Sequence, residues 1–193
     1  MLKNRKKGVF MFKLGIIGTG SISHEFIKAA HSTGDYQLAA VYSRTLASAE
    51  RFVQNYENTA VYIEMLDFLS SDIDVVYIAS PNSLHFNHAK VAILARKHVI
   101  VEKPAVSRPK EWRELIKLAD EHQVYLFEAA RNYHEQAFDT ISDFLKDKTV
   151  LGASFTYAKY SSKMQALLAG EQPNVFSAKF SGGALMDLGV YPV

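Results

Sequence analysis

"LGIIGTGSIS", residues 14–23, runs from an apolar stretch through two glycines into a polar, helix-like pattern. Gly18, Gly20 and Ser23 occupy the G-x-G-x-x-G/A positions. Glycine at 18 permits a tight turn, and glycine at 20 lets a pyrophosphate approach the backbone. A helix that starts there offers free N–H groups and its positive dipole end to phosphates. Ser23 replaces the usual third glycine or alanine and is small enough for close helix–strand packing. Alone, the motif also describes an ordinary glycine-rich turn. Its neighbours decide between the two readings.

Outward from this turn, two textures alternate. Short β-branched or aromatic runs occur at 13–17, 37–42, 60–62, 74–79, 98–102 and 124–128. Helical patterns lie between them at 21–32, 45–55, 64–70, 83–96 and 108–122. In the last, Trp112, Leu115, Ile116 and Ala119 fall at i, i+3, i+4, i+7 as one apolar stripe. Ser107 is the expected cap of that helix, with Pro109 in its first turn. Gly34 closes the first helix where a left-handed cap is needed. Apolar strands each followed by a helix predict an α/β fold, a doubly wound parallel sheet covered on both faces. In that setting Gly18, Thr19, Gly20, Ser21 and Ile22 are read as cofactor-binding.

After about residue 130 the pattern changes. A helix is predicted over 135–147 and a long alternating strand over 150–160, "VLGASFTYAKY". That strand has no candidate partner outside the first sheet, so the expectation is that the rest of its own sheet is missing. The chain divides into a basic tail (1–12), a dinucleotide-binding domain (13–130) and the incomplete start of a second domain (131–193).

The 193 residues carry a formal charge of +2, with Lys3, Arg5, Lys6 and Lys7 ahead of any folded element. No large basic field points to nucleic acid. The absence of cysteine removes disulfides, thiol catalysis and thiolate metal sites. Lys13 interrupts the apolar stretch that follows the basic start, which argues against a signal peptide. No run is long enough for a membrane span. The expectation is a cytoplasmic protein whose natural start is Met1 or Met11.

The second strand ends "VYSRT". About 20 residues past a phosphate turn, an NAD-selective site carries an acid for the ribose 2′-OH. Ser43 and Arg44 stand there instead. A hydroxyl and a guanidinium suit a 2′-phosphate, so NADP is favoured over NAD. The alternative is a surface arginine with use of either cofactor. A further site lies in "VIVEKPAV" (99–106), where Glu102, Lys103 and Pro104 end an apolar strand. Burying such charges unpaired is costly, so they sit on the rim in water or a ligand meets them.

"LGIIGTGSIS", "IASPNSLH", "VIVEKPAV" and "GGALMDLGVYPV", in that order, resemble the Gfo/Idh/MocA family of nicotinamide-dependent oxidoreductases. The resemblance runs from about Lys13 to the end. It implies a Rossmann domain followed by an α/β domain with an open, mostly antiparallel sheet, which residues 131–193 would begin and which would supply substrate and oligomer contacts. It further implies that Lys103 reaches the substrate hydroxyl and the nicotinamide ribose, with Glu102 close to the nicotinamide. Pro104 would aim them, through a cis peptide. The competing reading of these charges is a solvated strand-end ion pair. The resemblance places Ser80, Pro81, Asn82 and His85 against the nicotinamide half of the cofactor. Asn82 or Ser83 would otherwise cap the following helix. His85 is expected as a neutral contact. His85 and His88 have a metal-compatible spacing, but no third ligand suggests itself, and no metal is expected.

"DLGVY" has Tyr191 where the family's commoner pattern has histidine, which looks like the branch of dihydrodiol dehydrogenases and glucose–fructose oxidoreductase. Oxidising a carbinol sends a hydride to the nicotinamide while a proton leaves oxygen. A free phenol, with a pKa near ~10, is a poor base at neutral pH. An ammonium such as Lys103 beside it would stabilise the phenolate and the developing alkoxide. Asp187, at i, i+4 before Tyr191, would share its helical face and bind a second substrate hydroxyl. Lys103, Tyr191 and Asp187 are thus the candidate catalytic residues. The competing reading of Tyr191 is an amphipathic tyrosine near a domain interface. Arg131 either touches cofactor or substrate or forms a structural salt bridge.

The expected function is an NADP-preferring oxidoreductase, with NAD as the possible substitute, acting on a CH–OH group of a sugar, polyol, cyclitol or diol. Its partners would be a polyhydroxylated small molecule and, in the full-length form, further copies of itself. For the 193-residue chain by itself the expectation is cofactor binding, with or without turnover. The rivals are an imine- or tetrapyrrole-type reductase on the same scaffold and a nucleotide-sensing regulator without enzymatic activity.

Overall fold

The structure, a computed structural model, describes residues 11–191. Six strands, β1 (Phe12–Ile17), β2 (Tyr36–Tyr42), β3 (Ala60–Tyr62), β4 (Val75–Ile78), β5 (His98–Val101) and β6 (Leu126–Glu128), form one sheet in the order β3-β2-β1-β4-β5-β6. Every pairing in it is parallel. The crossovers carry α1 (Ser21–Ser32), α2 (Leu46–Val53), α3 (Met65–Ser70), α4 (Asn82–Leu94) and α5 (Pro109–His122). The alternation of textures therefore gave the right elements, and the doubly wound sheet follows from it.

Side chains sort to two faces with the strand period of two. Leu14, Ile16, Val75 and Tyr77 pack with Ile27 and Ala30 of α1 and Phe52 of α2. Ile17, Val76, Ile78, Val99 and Val101 pack with Phe68 of α3, Ala89 and Ile93 of α4, and Leu115 of α5. Buried on both faces, the strands are near-continuous apolar runs. Gly15 belongs to this packing, since a Cβ there would lie 2.8 Å from the Phe68 ring and from Ile73 Cδ1. Between Leu14 and Gly15 the register against β2 shifts, from Leu38 to Ala40.

Gly34 takes a positive φ of 73°, the left-handed residue that ends α1. The α5 cap differs from expectation. Arg108 holds the cap position, and the Glu111 carboxylate reaches back to accept from the Ser107 and Arg108 N–H groups at 3.2 and 3.1 Å. The Ser107 hydroxyl instead bonds Ser181 Oγ at 2.7 Å. Pro81, not Asn82 or Ser83, precedes α4, whose N-terminus has no side-chain cap. Within the α5 stripe Leu115 and Ala119 are buried, whereas Ile116 is 44% exposed at its edge.

Beyond β6 come a 3-10 turn over Arg131–His134, α6 (Gln136–Leu145), α7 (Met164–Leu168), two more 3-10 turns and α8 (Ala184–Leu188). The helix expected over 135–147 is α6, and it has no buried residue. The strand expected over 150–160 does not form: the segment has no regular structure and is exposed throughout. Its alternation is that of a strand, but no neighbour supplies the ladder that a strand's backbone requires. Most of the basic tail lies outside the described residues. No described helix is long and apolar enough to cross a membrane.

Candidate functional site: a glycine turn, a cleft and a lysine–aspartate–tyrosine cluster

The topological reversal falls between β1 and β4, and the turn after β1 opens there. Gly18 has φ +108°, and a Cβ on it would lie 2.4 Å from the Ala79 carbonyl at the end of β4. Only glycine lets the two chain segments approach so closely. Ser23 is fully buried and its hydroxyl donates to the Gly18 carbonyl at 2.8 Å. The third small position of the motif thus fastens the turn as well as fitting beneath it. Gly20 caps α1 without a side-chain hydrogen bond, and a Cβ on it would meet nothing within 4 Å. Open space above uncapped helix N–H groups fits a diphosphate.

From this turn a cleft of about 940 Å³ runs past Ser21, Ile22 and Ala79 to Gly183, Asp187 and Leu188. It is large enough for a dinucleotide-sized ligand. Ser43 and Arg44 directly follow β2, and the exposed Arg44 makes no ion pair among the described residues.

Lys103, Asp187 and Tyr191 do come together, across 84 residues of sequence in the first pair. Lys103 Nζ donates to the Asp187 carbonyl at 2.7 Å and to Oδ1 at 2.9 Å. The same ammonium lies 5.2 Å from the centroid of the Tyr191 ring. The Lys103 side chain is only 16% exposed, so the pair is better shielded than a surface bridge. The route differs from the expected one. Helix α8 ends at Leu188, so Tyr191 does not share a helical face with Asp187. It reaches the lysine from the turn beyond, stacked on Tyr157 at 4.3 Å. The ammonium meets the ring face, a cation–π arrangement. The Lys103–Pro104 peptide is cis.

Glu102 accepts a 2.6 Å hydrogen bond from the Tyr77 hydroxyl. Tyr77 is fully buried and stacks on Phe26 at 3.7 Å. Burial, reinforced by the Glu102 charge, pushes its phenol far above the ordinary range. Sequence reading missed Tyr77. The signal was a phenol in an otherwise apolar buried strand, which needs a partner. Asn132 was missed too: it is buried, and its Nδ2 donates to the Val190 carbonyl at 3.1 Å, next to Tyr191. Its Oδ1 is buried without a partner among the described residues.

Other expected contacts have different places. His85 is 1% exposed, with Nε2 and Nδ1 each 2.8 Å from a carbonyl oxygen, those of Ser80 and Pro104. Its ring presents no free edge to a ligand, which corrects the expected direct cofactor contact. Burial holds it below the usual imidazole range, against the opposing pull of those carbonyls and of Glu102 and Glu128. His88 bonds the Ser80 hydroxyl at 2.9 Å and is pulled down to about 4 by burial, then by the charge of His85. Asn82 Nδ2 donates to the Ser181 carbonyl at 3.1 Å, tying α4 to the segment before α8. Arg131 is three-quarters exposed and faces Glu135 loosely at 3.9 Å. Among the described residues no three His, Asp or Glu gather as metal ligands.

The sheet order, the glycine turn and the cleft define a dinucleotide-binding domain of the Rossmann class. The chain belongs to the Gfo/Idh/MocA family, whose model, an oxidoreductase family with an NAD-binding Rossmann fold, matches residues 12–130. It is 40% identical over 189 residues to an uncharacterized oxidoreductase, YgjR, of Escherichia coli, covering 94% of this chain and 56% of the relative. It is 37% identical to the scyllo-inositol 2-dehydrogenase (NADP(+)) IolU of Bacillus subtilis, with 94% and 56% covered. Among solved structures it resembles KijD10, a 3-ketoreductase from Actinomadura kijaniata in complex with NADP and TDP-benzene. That match has a TM-score of 0.79 and 26% identity, and covers 94% of this chain and 55% of the other. The chain thus spans about half the length of the curated relatives it matches.

Proposed function

We infer that the protein is an oxidoreductase that prefers NADP and acts on a CH–OH group of a sugar, polyol, cyclitol or diol. The observation that carries this reading is the convergence of Tyr191 and Asp187 on Lys103, with Asp187 lining the cleft beside the glycine turn. Gly18, Thr19, Gly20, Ser21 and Ile22 would hold the diphosphate, Ser43 and Arg44 the 2′-phosphate, and Ser80, Pro81, Asn82 and Glu102 would border the nicotinamide half. The nicotinamide, when bound, supplies the hydride acceptor or donor.

The chain's own residues handle the proton. Lys103 would orient the substrate hydroxyl and stabilise the alkoxide as its proton leaves. Tyr191, beside that ammonium, would take the proton as general base. Asp187 holds the ammonium and would bind a neighbouring substrate hydroxyl. Residues 131–193 would open a substrate and oligomer domain, so that substrate choice depends on more chain than this.

The test is nicotinamide fluorescence titration with NADPH and NADH. Tighter NADPH binding is expected, and Arg44→Ala should weaken it about tenfold or more while sparing NADH, by loss of a charge-assisted bond. Tighter NADH binding by the unsubstituted chain would overturn the cofactor preference.

A further inference from the structure

The ends of β4 and β5 carry the two turns that border the nicotinamide half in the reading above, and one buried side chain spans them. His85 sits in the first turn of α4, 1% exposed, with Nε2 2.8 Å from the Ser80 carbonyl and Nδ1 2.8 Å from the Pro104 carbonyl. Ser80 ends the β4 turn, and Pro104 directly follows Lys103. Buried polar groups of this kind hold a structure rigidly when they are satisfied.

We propose that His85 is a positioning residue, a strut that ties the turn carrying Lys103 to the turn after β4 and so fixes where the ammonium meets the nicotinamide. The proposal rests on the cofactor reading for the identity of the ligand, but not for the strut itself. A neutral imidazole has one N–H and one lone pair. Only one of its two carbonyl contacts is then a hydrogen bond, and a second proton completes the other. The groups facing the ring are the Glu102 and Glu128 carboxylates from the ends of β5 and β6, and His88 on α4 itself. Burial opposes the second proton, while the Pro104 and Ser80 carbonyls and the two carboxylates favour it. A neutral ring makes one of these two hydrogen bonds, and a protonated ring makes both.

Two measurements test this. In the unsubstituted chain, long-range proton–nitrogen NMR should show the His85 ring locked in one tautomer at pH 7.5, with a slowly exchanging N–H. A ring averaging freely between tautomers would overturn the strut. Titrations of His85→Phe and His85→Gln with NADPH and with 2′-phospho-ADP-ribose, which lacks the nicotinamide, form the second. A strut predicts that His85→Phe weakens NADPH about tenfold, a misplacement effect, and leaves 2′-phospho-ADP-ribose within about twofold. His85→Gln, which keeps one donor, should recover part of the loss. Equal weakening of both ligands, or NADPH affinity unchanged in a folded variant, would refute it. Should the unsubstituted chain bind neither nucleotide, the cofactor reading fails, and the ring NMR still decides the strut.

Discussion

At the scale of single residues, the site depends on positions where only one side chain, or none, is tolerated. Gly18→Ala would place a methyl 2.4 Å from the Ala79 carbonyl at φ +108°. The strain should cost roughly 1–3 kcal/mol, seen as a lower urea midpoint at unchanged slope, with loss of NADPH binding. Ser23→Ala removes the bond to the Gly18 carbonyl. The loss, about 1 kcal/mol, should appear in the same midpoint. Lys103→Ala and Tyr191→Phe belong to chemistry rather than to binding. In the active, full-length protein each should lower kcat about 100-fold or more while the NADPH Kd moves only several-fold. An alcohol dehydrogenase requires that split; a reductase of imines does not.

At the scale of elements, α5 shows how a helix start is chosen. The Glu111 carboxylate takes the Ser107 and Arg108 N–H groups, so the start signal sits at the third helical residue rather than at the expected serine. Glu111→Ala should therefore cost about 1 kcal/mol by thermal or urea unfolding. Ser107→Ala should leave the helix start alone and loosen the contact with Ser181 instead, read as faster amide exchange around residues 181–183. Residues 150–160 make the complementary point. A strand needs a neighbour, and alternation along the chain cannot supply one.

At the scale of the whole molecule, two neighbouring histidines contribute to the response to acid. The unfolded chain protonates His88 near 6.5, while the folded chain holds it down to about 4. Between those values the unfolded state binds more protons, so stability is fully present above pH 6.5 and falls as the pH drops toward 4. His85, lowered by burial, adds in the same direction. Urea midpoints measured against pH should decline over this window, and His88→Gln should flatten part of the decline.

The local pattern of this sequence determined the six strands, the five crossover helices and the glycine turn, because apolar periodicity and turn chemistry act over a few residues. With parallel strands and right-handed crossovers, the doubly wound sheet follows. Tertiary structure alone decided that Lys103 bonds Asp187 from 84 residues away, that Tyr191 arrives from beyond α8 rather than along it, and that Tyr77 carries Glu102. It also turned His85 from a ligand contact into a buried link between two turns. Such pairings depend on distances between remote segments, which no spacing along the chain encodes.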